Sequence, residues 1–114
     1  MATIQNTDTN MIANNLEPFE PTHPGELLKE EIEFRGISQK KFAEQIGIQY
    51  TVLNEILNCK RTVNVQFAML VEAAWGIDAE LLITMQTRYN MIIAKKDKTF
   101  SKRLADIRKT AAIL

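Results

Sequence analysis

Four residues within one short stretch, Gln49, Tyr50, Thr51 and Asn54, carry the side-chain types that read base edges in a DNA major groove. Gln49 and Asn54 each offer a donor and an acceptor, the pair that adenine presents in that groove. Tyr50 can touch a thymine methyl or donate to a phosphate, and the Thr51 hydroxyl suits either base or backbone. Gln39, Lys40, Asn58, Lys60 and Arg61 flank this group with amides and cations suited to phosphate oxygens. Gln39 stands where a helix would begin, so backbone N–H groups and an amide face an anion together. Lys41 adds positive potential. Asn58 has a second reading as a helix C-cap, and the two roles are compatible. Glu55 can accept from cytosine, but an exposed carboxylate that is merely solvated is the simpler reading.

Such residues act only if a helix presents them. Gln39 to Leu57 reads as two short helices joined by a tight turn, a helix-turn-helix whose second helix enters the major groove. Ser38 is an N-cap for the first helix, Gln39–Ile46. Gly47 supplies the turn, where a positive φ is cheap for glycine. The second helix runs from Gln49 or Tyr50 to Leu57. Ala43 is small where the two helices cross. Phe42, Ile46, Ile48, Leu53 and Ile56 fall on the inner faces and read as core, while Tyr50, Thr51, Asn54 and Glu55 face out.

The rest of the chain supports this pair. Pro24 near a first helical position, an apolar stripe at Leu27, Leu28 and Ile32, and Gly36 as a stop predict a helix over 24–35. A loop follows at 58–64. A further helix spans about 64–74, ended by Gly76, with Trp75 as a packed aromatic. Asp78 then caps a fifth helix, in which Leu81, Leu82, Met85 and Tyr89 share a face. No segment alternates with the period of a strand. The fold class is all-α: five helices, with an extra C-terminal helix or tail. Residues 1–20, polar and interrupted by proline, read as a flexible arm; 21–94 form the helix-turn-helix domain; 95–114 are basic. Leu104, Ile107 and Ala111 could make a helix of about 100–111, and a solvated tail is equally consistent.

At 114 residues with 46% hydrophobic and 25% charged, the chain suits one small globular domain. One histidine and one cysteine leave no set for a protein-built zinc site or an intramolecular disulfide, so no metal or cofactor is expected. There is no glycine-rich phosphate loop and no Ser–His–Asp set, so no catalytic residues are assigned and an enzyme is not expected. His23 reads as a cap or staple, not a catalyst. No apolar run is long enough to span a membrane, and the first residues do not read as a signal peptide. A cytoplasmic protein is expected. Met69, Met85 and Met91 read as fillers of a core or an interface.

The formal net charge is zero, which argues against a polyanionic partner until its distribution is seen. Residues 1–34 carry one positive and seven negative charges, a net of −6, and residues 35–62 carry +3. Residues 63–94 carry −2 and residues 95–114 carry +5. The zero is a cancellation between an acidic N-terminal third and two basic segments, a pointer to charged partners.

The stretch from Ser38 to Asn58 resembles the helix-turn-helix of lambda-repressor-like (XRE family) proteins. Three further features narrow the resemblance to the HigA antitoxin family, also called plasmid-maintenance antidote proteins. They are His23-Pro24-Gly25-Glu26, the run Leu57-Asn58-Cys59-Lys60-Arg61, and Ala79-Glu80-Leu81-Leu82 through Met85-Gln86-Thr87-Arg88-Tyr89-Asn90. It covers roughly 23–92. The resemblance implies a sequence-specific repressor that neutralises an RNA-cleaving toxin of the HigB type and represses their shared operon. A homodimer on an inverted-repeat operator is expected, because one such motif contacts only a few base pairs. Leu81, Leu82, Met85 and Tyr89 are the expected dimer interface. Toxins of that class tend to be basic, which makes the acidic run Glu17, Glu20, Glu26, Glu30, Glu31 and Glu33 a candidate docking surface. A regulator without a toxin, or a helix-turn-helix used only for protein contacts, are the alternatives. Two positions depart from the family: Cys59 stands where glycine is usual, and Leu82 lies near a frequent tryptophan.

Overall fold

A computed structural model of the chain describes residues 21–113, so the arm read over 1–20 lies outside the described residues. Six helices follow one another: α1 Pro24–Arg35, α2 Gln39–Ile46, α3 Tyr50–Leu57, α4 Val65–Trp75, α5 Ala79–Lys96 and α6 Lys98–Ile113. No strand occurs among the described residues.

Local chemistry sets most boundaries. The Ser38 hydroxyl accepts from the Lys41 N–H at 3.0 Å, Asn64 accepts from the Phe67 N–H at 2.8 Å, and Asp78 accepts from the Glu80 N–H at 3.0 Å. Each satisfies a donor that the first helical turn leaves without a partner. Gly47 ends α2 at φ 77°, which lets α3 begin three residues later.

The core lies where α1 to α5 converge. Leu28, Phe42, Leu53, Ile56, Leu57 and Val71 are essentially removed from water. Trp75 stacks on Phe42 with ring centroids 4.0 Å apart, and the Arg35 guanidinium covers its ring 4.9 Å from the centroid. Ala43 is buried in the same cluster, as the close packing of α2 requires.

Two sequence readings change here. Leu82 is fully buried within the core cluster, so it is spent inside the chain and cannot form a dimer interface. Its neighbour Leu81 lies about 100° around the helix and is 48% exposed. The basic end is not a solvated tail: it is helical over Lys98–Ile113, capped by Asp97, whose side chain accepts from the Phe100 N–H at 3.1 Å. Yet α6 buries none of its residues, and among the described residues its only extensive contact is with α5. No described helix is long and apolar enough to cross a membrane.

Candidate nucleic-acid interface

The α2–α3 pair leaves Gln49, Tyr50 and Thr51 exposed and brings Gln39 against Asn54. Gln49 is the N-cap of α3, makes no capping hydrogen bond with its side chain, and is exposed. Tyr50, 48% exposed, and Thr51, also exposed, follow in the first turn. These three side chains project from the helix end that would enter a groove.

Asn54 is half-buried and tied to a partner fifteen residues earlier: its Nδ2 donates to Gln39 Oε1 at 2.9 Å. That bond uses Gln39 Oε1 and leaves its two Nε2 protons without a partner among the described residues, the donor set a phosphate oxygen takes. Asn54 keeps its second Nδ2 proton, while its Oδ1 accepts from Asn58 Nδ2 at 3.3 Å. Asn58 Nδ2 also donates to the Asn54 carbonyl at 2.9 Å, which makes Asn58 the C-cap of α3. Glu55 does not offer an unpaired carboxylate: Arg61 Nη2 and Nε lie 2.7 and 2.8 Å from its Oε1. Both groups are about half exposed, so the pair contributes little stability. Its effect is to remove a lone negative charge from the face. Lys40 and Lys60 are exposed.

The loop that carries Lys60 and Arg61 is held from three directions. Its own backbone closes on α3, with Cys59 N–H donating to Ile56 and Lys60 N–H to Glu55. This closure puts Cys59 at φ 63°, the one non-glycine residue with positive φ among those described. Gln86 of α5 is buried; its Oε1 accepts from the Val63 N–H at 2.9 Å and its Nε2 donates to Asn90 at 3.0 Å. His23 is buried too: its Nδ1 accepts from the Gly25 N–H at 2.8 Å, the Arg61 backbone carbonyl lies beside the ring, and Tyr89 meets its ring edge-on at 4.9 Å. Burial is the main cause of a lowered His23 pKa, opposed by the Glu26 charge and the Arg61 carbonyl, so the ring is held neutral. Burial, reinforced by the Glu26 charge, pushes the Cys59 thiol up, against Lys29 and the Glu26 backbone. It is therefore a poor nucleophile.

The anchoring residues His23, Gly25, Gln86 and Tyr89 belong to the family-like motifs; His23 caps α1 as its place in the sequence predicts, while the tasks of Gly25, Gln86 and Tyr89 were not readable from the sequence. A Cβ on Gly25 would overlap the Ile56 carbonyl oxygen, so α1 meets α3 backbone to backbone. No group of three or more His, Cys, Asp or Glu that could hold a metal ion occurs among the described residues.

Fold and site together define a lambda-repressor-like helix-turn-helix protein. No protein-family model matches the chain. It is 32% identical over 77 residues to virulence-associated protein I of Dichelobacter nodosus, covering 67% of this chain and 71% of that protein. It is similar to the structure of an addiction module antidote protein of the HigA family from Coxiella burnetii. That match has 29% identity and a TM-score of 0.66, over 74% of this chain and 95% of the other. It shares its fold with Pseudomonas aeruginosa antitoxin HigA, solved with the higBA promoter, at 24% identity and a TM-score of 0.63, over 66% and 83% of the two chains. The chain belongs to the HigA-type antitoxin family.

Proposed function

We propose that this protein is a sequence-specific DNA-binding repressor that acts as a homodimer and as the antitoxin of an RNase toxin encoded beside it. The observation that carries the DNA reading is the exposed, uncapped Gln49 with Tyr50 and Thr51 at the start of α3, next to a Gln39–Asn54 pair already joined at 2.9 Å. In this reading Gln49, Tyr50, Thr51 and Asn54 touch base edges. Gln39 and Lys40 at the start of α2, and Asn58, Lys60 and Arg61 after α3, hold phosphates. Two copies related by a two-fold axis read an inverted repeat with half-sites about one helical turn apart. Leu81, exposed, with the half-buried Met85 and Tyr89, is the α5 surface available for pairing. The toxin partner is carried over from the family, whose solved members include the Coxiella burnetii antidote protein.

The test is a gel shift with the chain's own upstream DNA at two salt concentrations. Specific binding should survive competitor DNA and weaken steeply as salt rises. Gln49→Ala should cost about 1–3 kcal/mol at one base position, while Lys60→Ala should weaken all sequences alike. A uniform loss for Gln49→Ala removes it as a base reader, and no shift above competitor removes the DNA reading. Co-expression with the neighbouring gene tests the toxin: a toxin that stays lethal and does not co-purify ends that part of the proposal.

A further inference from the structure

The helix α6 is amphipathic and uncovered. Phe100, Leu104, Ile107 and Ala111 recur at spacings of four, three and four residues, so they form one stripe along about 17 Å of helix. Phe100 and Ile107 are 42% and 55% exposed, and no residue of α6 is buried. At about 100° per residue, Arg103 and Arg108 border this stripe, one on each side and about 70° from its centre. A helix of this length without tertiary cover is marginal in water.

The complementary surface is α1. Its outward side carries Phe34, 87% exposed; Leu27, seven residues earlier on the same line, is half-buried and packs against the edge of the core. By the same count Glu30 and Glu31 flank that line, each about 50° from it, Glu31 already paired with Arg35 of its own helix at 2.9 Å. The two helices thus present matching patterns of opposite sign: an apolar line between two arginines, and an apolar line between two glutamates. They do not satisfy each other within one chain, where α6 packs on α5. We propose that α6 of one copy docks on α1 of a second copy, with Arg103 and Arg108 facing Glu30 and Glu31. In a two-fold arrangement the contact is made twice, which brings a pair of small helix–helix contacts toward the roughly 1,200 Å² typical of a specific interface. This clasp adds to any contact through α5 and does not depend on DNA binding. A basic toxin drawn to the acidic side of α1 has to displace α6 first.

A charge swap tests it without DNA. R103E/R108E and E30R/E31R chains are each checked for folding by circular dichroism and then weighed by sedimentation equilibrium. Each alone should dimerise at least tenfold more weakly than the wild type, because both of its clasps oppose like charges. Mixed, they should form a heterodimer in which both clasps carry opposite charges. In the unmodified chain, carbodiimide cross-links between Lys98 or Lys102 and Glu30 or Glu33 should join a ¹⁴N chain to a ¹⁵N chain. Unchanged dimerisation of R103E/R108E overturns the proposal, and so does a loss confined to DNA affinity. Cross-links from α6 to Asp8, Glu17 or Glu20 in place of α1 overturn it as well. If a swapped chain does not fold, the cross-links of the unmodified protein decide.

Discussion

Replacing Cys59 by glycine should stabilise this protein. The loop after α3 closes by two hydrogen bonds, Cys59 N–H to Ile56 at 3.0 Å and Lys60 N–H to Glu55 at 2.8 Å, and the residue between α3 and Lys60 is forced to φ 63°. For a residue with a Cβ, left-handed backbone costs about 1–2 kcal/mol. Glycine removes that strain but gains freedom in the unfolded chain, a loss of about 0.5–1 kcal/mol. The net gain is about 0.5–1 kcal/mol, or roughly 2–8 °C in Tm for a domain of this size. Urea and thermal unfolding at pH 7 measure it, with Cys59→Ala as the control that deletes the thiol and keeps the strain. Alanine should fall within about 0.5 kcal/mol of the wild type, since the half-buried thiol contributes little packing. A glycine variant no more stable than the alanine variant would refute the reasoning, because only backbone strain distinguishes the two.

Three further outcomes follow from the anchoring of the loop. Gly25→Ala places a methyl on the Ile56 carbonyl oxygen; α1 must move off α3, at a cost of about 1–3 kcal/mol in chemical unfolding. His23 is held neutral, so below pH 6.5 the unfolded chain takes a proton that the folded chain refuses. Stability is therefore complete above pH 6.5 and falls as pH drops below it, by at most about 1.4 kcal/mol per pH unit, and in His23→Asn this dependence should be gone. Gln86→Leu leaves the Val63 N–H buried without an acceptor and should cost about 1–3 kcal/mol. Gln86→Glu restores an acceptor and should recover part of the loss in the same melts.

What the sequence disclosed was mostly local. Ser38 and Asp78 as caps and Gly36, Gly47 and Gly76 as stops are chemistry within a few residues, and the five expected helices lie within a residue or two of their places. Leu81 and Leu82 show where this ends. Both are leucines at the start of one helix, and only the position of α5 against the core decides which is buried. The tail could be read as helix or coil because α6 has no buried side to give it away. Within the candidate site, every residue type was legible, but the pairings were not. Gln39 with Asn54, Arg61 with Glu55 and Gln86 with Val63 join positions 15, 6 and 23 residues apart, and only the fold brings them together.

Those pairings explain why motifs remote from the helix proposed to read the groove belong to the same design. His23 and Gly25 open α1, while Gln86 and Tyr89 sit more than sixty residues later on α5, and all four converge on the end of α3 and the loop behind it. Gly25 sets how closely α1 approaches Ile56. Gln86 fixes the amide of Val63, so the segment bearing Lys60 and Arg61 is tied to α3 by its own backbone at one end and to α5 at the other. Tyr89 closes over His23 and keeps it dry. The spacing between α3 and the basic loop is therefore governed by α1 and α5, the two helices that also carry the surfaces proposed for a second copy and a toxin. A partner that shifts either helix acts on the loop proposed to hold phosphates through buried hydrogen bonds that cannot stretch without leaving a polar group unpaired.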